Sequence, residues 1–324
     1  MRMWIRVVVG LAVVAALGLT GWVTGSQVGA QNSETGVQSA VTSMPSSLLA
    51  AQSTLTGAWT ASVSKEGNKL KLNLEREHKR GKSNMGQDFD FTDLQGLTRE
   101  QALNGGPVNF SLVREAGKID LEGSFQNGKG SGTFRFTPNA AFVSAMKSRG
   151  FNFEANRGSD DKHRGEDRVF AAAVLNVTTA LADDLAAANF GKLGVDDLFK
   201  AAIFKIDSNF VREMKASGFE NLGMEELVKA RIFKIDAEFV RQVASLGFAK
   251  EPFESLVKLQ IFKVTPEFIS EVRNEGLTNL QIEELVKLRI FKIDAQYIRE
   301  AKADGTPLEV ERLVQRKIGI ARHR

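Results

Sequence analysis

Cysteine is absent from all 324 residues, so the chain has no disulfide framework, no thiolate nucleophile and no thiol for lipid attachment. Histidine is nearly as scarce. His78, His163 and His323 stand far apart, no His-Glu-x-x-His pair occurs, and all three read as solvated surface residues rather than ligands. No serine occupies a Gly-x-Ser-x-Gly elbow, which removes one hydrolase arrangement. Asp160-Asp161 and Asp183-Asp184 are adjacent carboxylates, but helix neighbours point about 100° apart, so neither pair makes a shared metal or acid–base site. Gly130-Ser131-Gly132 precedes a strand pattern instead of opening a helix, and reads as a hairpin or bulge rather than a phosphate cradle. The chain is therefore expected to be no enzyme, with no catalytic residue, no cofactor and no metal. Large charge of one sign is missing too. The formal net charge is +4, basic residues are interleaved with acidic ones, and no nucleic-acid partner is expected.

What the chain has instead is repetition. Ile203-Phe204-Lys205-Ile206, Ile232-Phe233-Lys234-Ile235, Ile261-Phe262-Lys263-Val264 and Ile290-Phe291-Lys292-Ile293 follow one another at steps of 29 residues (232 − 203, 261 − 232, 290 − 261). Leu198, Leu227, Leu256 and Leu285 keep the same register, as do Phe210, Phe239, Phe268 and Tyr297, while Gly218, Gly247, Gly276 and Gly305 close each unit. Val177, Leu181 and Phe190 form a degenerate earlier copy. A constant period of this length marks one supersecondary unit stacked on copies of itself.

Each unit reads as two short helices. Leu227, Val228, Ile232 and Phe233 fall on one face of the first. Asp207, Asp236, Thr265 and Asp294 stand where an N-cap of the second belongs, and Pro266 follows Thr265 as a first helical residue. The closing glycine is a left-handed C-cap. The phenylalanines at Phe204, Phe233, Phe262 and Phe291 are expected to form core between units. Stacking would also line lysines into two stripes, Lys200, Lys229, Lys258 and Lys287 in one and Lys205, Lys234, Lys263 and Lys292 in the other. These eight are the candidate interaction residues, against the plainer expectation that recurring acids such as Glu226, Glu254 and Glu284 pair with them on a solvated face.

Residues 55–136 have a different texture. Lys69-Leu70-Lys71-Leu72-Asn73-Leu74, Val108-Asn109-Phe110-Ser111-Leu112, Ile119-Asp120-Leu121 and Phe134-Arg135-Phe136 alternate as half-buried strands do, with hairpin signals at Glu66-Gly67-Asn68, Ala116-Gly117 and Asn127-Gly128. The expected fold is thus α+β and multidomain: an antiparallel sheet of about six strands, in a sandwich or small barrel, followed by an α-helical-hairpin array. Residues 137–176 read as a first repeat helix, capped by Asn139, and an exposed linker around 156–167; the array covers 177–320. Ahead of the sheet, Arg2 and Arg6 precede the apolar stretch Val7–Leu19, and Val28-Gly29-Ala30 suits a signal peptidase, so 1–30 is expected to be a signal peptide or, through Trp4–Val23, a membrane anchor. Residues 31–54 read as a flexible linker.

Gly57-Ala58-Trp59-Thr60, Gly123-Ser124-Phe125, the segment Gly130 to Pro138 and units such as Val264-Thr265-Pro266-Glu267-Phe268-Ile269 resemble the extracytoplasmic tails of some bacterial Bla/Mec-type antirepressor sensor proteins. Free-standing exported proteins of the same make share the resemblance, which spans residues 55 to about 305. It implies an accessory role in envelope sensing and carries no protease motif. The functional expectation is an exported, periplasmic or extracellular binding or scaffold protein. Its partner would be an envelope protein or an anionic polymer, and it would meet the membrane only through the N-terminal segment. The alternative is a small-ligand carrier or enzyme with a pocket in the β domain, using Arg114, Glu122 or Arg135. The strand alternation places Glu122 and Arg135 opposite the apolar set, which weighs against it.

Overall fold

Seven strands, most of them alternating between apolar and polar residues, form in a computed structural model that describes residues 54–78, 81–153, 163–188 and 191–319. They are β1 (Leu55–Val63), β2 (Lys69–His78), β3 (Gly81–Asp90), β4 (Leu94–Gln95), β5 (Gly106–Arg114), β6 (Gly117–Gln126) and β7 (Lys129–Pro138). The order is β3-β2-β1-β7-β6-β5-β4, every neighbouring pair is antiparallel, and the sheet curls into a half-barrel. The expected antiparallel β domain followed by helices is what forms, and two details refine it. A seventh strand exists because β3, which carries almost no apolar alternation, still pairs with β2 along its length. The sheet is neither sandwich nor closed barrel, since β3 and β4 remain unpaired with each other at its two edges.

One face of the sheet is filled by large rings set against glycines. Trp59 lies across from Gly132, which lies across from Gly123, and the indole Nε1–H donates to the Glu122 carbonyl at 3.0 Å. A Cβ on Gly132 would stand 1.9 Å from that carbonyl oxygen, and one on Gly123 would stand 2.7 Å from the indole. Gly130 gives way in the same manner to the Phe125 ring. The glycines of the Gly130-Ser131-Gly132 run are therefore not hairpin or bulge residues. They lie inside β7, where Gly130 makes room for the Phe125 ring and Gly132 for the close backbone of β6.

Helix α1 (Arg99–Asn104) interrupts the sheet and begins with a capping box between Thr98 and Gln101. Helix α2 (Ala140–Ser148) follows β7 directly, with the Asn139 side chain accepting from the Ala141 N–H. Helix α3 (His163–Val174) takes up the end of the stretch read as an exposed linker, whose earlier part lies outside the described residues. Its charged first turn misled the reading, but Val169, Phe170, Ala172, Ala173 and Val174 are buried, and Phe170 stacks on Phe134 at 5.4 Å. Arg76 of β2 ties the same helix down through Asp167.

Ten further helices follow: α4 (Thr179–Ala187), α5 (Val195–Phe204), α6 (Ser208–Ala216), α7 (Met224–Ile232), α8 (Ala237–Ser245), α9 (Phe253–Ile261), α10 (Pro266–Asn274), α11 (Ile282–Ile290), α12 (Ala295–Ala303) and α13 (Val310–Lys317). Asp207, Asp236 and Asp294 accept from the N–H of Phe210, Phe239 and Tyr297 at 2.8, 2.8 and 2.9 Å, and Thr265 accepts from Phe268 at 3.3 Å. Gly218, Gly247 and Gly276 close α6, α8 and α10 with φ of 97, 96 and 103°, and the next residue bonds back to the helix in each case. At Phe204, Phe233, Phe262 and Phe291 the rings are half-buried against the core rather than inside it, because they stand at the last turn of each first helix, where the chain leaves the stack. Buried residues run without a break from the sheet into the array as far as Val257, and a second cluster runs from Val243 to Val314. The expected signal or anchor segment, the linker to residue 53, Asp160-Asp161 and His323 lie outside the described residues.

Candidate interaction surface

The two lysine stripes have opposite fates. Lys200, Lys229 and Lys258 each reach the next unit's first helix, pairing with Glu225, Glu254 and Glu283 at 2.5, 2.6 and 2.6 Å, and Lys287 pairs with Glu311 in the same way. These ammonium groups are three-quarters shielded, and the stripe is consumed in fastening one unit to the next. Burial pulls the Lys200 pKa down, yet the hydrogen bonds to Glu225 and Asp197 outweigh it and hold the pKa above the ordinary lysine value. The hydrogen bond from Lys258 holds Glu283 below the ordinary glutamate value. The expected partners were partly misassigned. Glu226 and Glu284 instead accept from the N–H of Gly223 and Gln281 at 3.1 and 2.9 Å, capping their own helices.

Lys205, Lys234, Lys263 and Lys292 behave otherwise. All four are exposed, and among the described residues none of their ammonium groups has a hydrogen-bond or ion-pair partner. All four also sit in the left-handed backbone region, with φ of 53, 54, 54 and 53°. Each terminates a first helix, and the following residue bonds back five positions: Ile206 to Ala201, Ile235 to Ala230, Val264 to Leu259 and Ile293 to Leu288, at 2.8 to 2.9 Å. Glycine or asparagine is the ordinary occupant of such a position, and a longer side chain there costs about 1–2 kcal/mol. Asn176, 29 residues before Lys205, takes it with φ 55°.

At two of the four turns the lysine backbone is fixed from the next unit. Arg231 donates to the Lys205 carbonyl at 2.6 Å while its guanidinium lies 3.7 Å over the Phe210 ring. Arg289 donates to the Lys263 carbonyl at 2.8 Å and covers Phe268 at 4.4 Å. Two residues before each lysine stands an isoleucine of the same edge. Ile203 is 43% and Ile290 48% exposed, and Ile318, one step on, is 50% exposed, while Ile232 and Ile261 in the middle are half-buried. Among large apolar side chains these exposures are high, and they fall on the edge that carries the unpaired cations. The N-cap aspartates Asp207, Asp236 and Asp294 offset part of this charge; Thr265 leaves Lys263 without one.

The other sequence candidates resolve into structural roles. Asp183 takes a two-pronged bond from Arg149 at 2.7 and 2.9 Å, which lowers its pKa, while Asp184 accepts from the Ser208 N–H at 2.7 Å, so the neighbouring carboxylates diverge. In the β domain Glu122 and Arg135 are exposed on the face opposite the rings, and Arg114 is paired with Asp93 at 3.2 Å. Arg114 therefore does not join Glu122 and Arg135 in one site. A cavity of about 270 Å³ lies instead between helical units, lined by Phe219, Val240, Val243, Phe248 and Leu256. Among the described residues no helix is long and apolar enough to cross a membrane, and no three acidic or histidine side chains cluster as metal ligands. The chain matches no family model, no curated protein and no solved structure.

Proposed function

We propose that this chain is a non-catalytic binding module that presents the edge carrying Lys205, Lys234, Lys263 and Lys292 to an anionic partner. One observation carries the reading: four lysines hold a backbone conformation unfavourable to them and keep their ammonium groups free, while the other four are spent on ion pairs. Glycine or asparagine would hold these turns at a lower conformational cost, about 1–2 kcal/mol, which exceeds the roughly 0.3–1 kcal/mol a cation gains at a helix C-terminus. The positive, apolar leader at residues 2–19 and the resemblance to envelope sensor tails support placing the module outside the cytoplasm, as an accessory to envelope sensing.

The test is a triple variant, Lys234→Asn, Lys263→Asn and Lys292→Asn, because asparagine tolerates the left-handed turn and Asn176 already occupies it in this chain. Retention on a polyanion column should fall in a salt-sensitive manner while the melting temperature stays within about 2 °C of wild type. Unchanged retention would sink the reading.

A further inference from the structure

We infer that the partner of the lysine edge is an acidic polypeptide segment in an extended, polyproline-II-like conformation, with one carboxylate and one apolar side chain in every three residues. The inference rests on the reading of this edge as the binding surface and adds the partner's chemistry and spacing. First helices of successive units pack side by side, α5 on α7, α9 on α11 and α11 on α13, and packed helices stand about 8–10 Å apart. Equivalent lysines therefore recur at about that interval. A polyproline-II chain rises about 3.1 Å per residue with three residues per turn, so every third side chain returns to the same face after about 9 Å. A pleated strand returns after about 7 Å and an α-helix after about 5 Å, and neither keeps step with the lysines over four units.

The isoleucines decide the class of anion. A phosphate or sulfate polymer meets the lysines but has nothing to place on Ile203, Ile290 or Ile318. A polypeptide has both. The middle of the edge is also less apolar at its surface than its ends, because Ile232 and Ile261 are half-buried where Ile203 and Ile290 stand out.

The experiment uses the full-length chain and a fluorescent peptide of four Glu-Pro-Leu triplets, one for each lysine with φ near 54°. Beside it run a peptide of the same composition with its glutamates clustered, inorganic polyphosphate, and vesicles containing anionic lipid. The triplet peptide should bind best, weaken about tenfold in the triple asparagine variant, weaken several-fold in Ile203→Ser/Ile290→Ser, and lose affinity with added salt. Equal binding of the clustered peptide would overturn the inferred spacing and with it the proposal. Lysine-dependent capture of polyphosphate with neither peptide bound, or isoleucine-dependent capture of vesicles, would overturn the polypeptide partner while leaving the lysine edge as the binding surface. No lysine-dependent binding of any probe would remove both.

Discussion

A lysine held at φ 54° is a cost the chain could have avoided, so Lys234→Gly should raise stability. Glycine relieves the left-handed strain and returns part of the gain as unfolded-state entropy, for a net increase of about 0.5–1 kcal/mol in chemical denaturation. A loss of stability would mean that the lysine stem packs on the turn and that its conformation is not strained. The repeat made the positions of these lysines legible, but not their backbone conformation. Lysine is no left-handed signal, and the clue that was present lay in Asn176, one step upstream in the degenerate copy that Val177, Leu181 and Phe190 mark. Gly130 and Gly132 failed for a related reason. A glycine reads locally as a turn, whereas here it answers an approach from another strand, the Phe125 ring at Gly130 and the Glu122–Gly123 backbone at Gly132.

At the scale of elements, units are joined by ion pairs between first helices, and their strength should follow the glutamate's titration. Glu283 has its pKa depressed by the hydrogen bond from Lys258, so its contribution is present above the unfolded value of about 4.3 and is lost as pH falls through the lower folded value. Glu283→Gln should thus lower stability by about 0.2–1 kcal/mol at pH 7, and the difference from wild type should close between about pH 5 and 3. Melting curves of both proteins across that range check it. A gap that persists at pH 3 would show that the glutamine is harming packing and not merely removing charge. The helices themselves were legible because a 3.6-residue apolar period and an aspartate or threonine cap recur in each unit. Helix α3 was not, because its charged opening turn resembles a loop until Phe170 is seen against Phe134. Strand β3 escaped because an edge strand is specified by its partner's hydrogen bonds more than by its own side chains.

Across the whole molecule the buried core is continuous from the sheet to Val257 and then gives way to a second cluster. The cause of the break can be read in the units that flank it. Leu193, Leu222 and Leu280 share one repeat position, and the copy between the last two carries Glu251; Val243 stands where the preceding unit has the larger Met214. The cavity of about 270 Å³ bounded by Phe219, Val240 and Phe248 is lined by both Val243 and Glu251. In a stacked array stability is a sum of unit and interface terms, so a weak interface divides the unfolding into steps. Tyr297, the one tyrosine, reports on the distal cluster, and Trp59 reports on the sheet once Trp4 and Trp22 are replaced by Phe. We expect the tyrosine signal to change at lower denaturant than the tryptophan signal. Glu251→Leu restores the apolar residue of the neighbouring units, and burying about half of a leucine adds about 1 kcal/mol at the interface. The tyrosine transition should then move toward the tryptophan transition, whereas coincident transitions in the wild type would mean that the seam does not limit cooperativity and that the array and the sheet unfold as one.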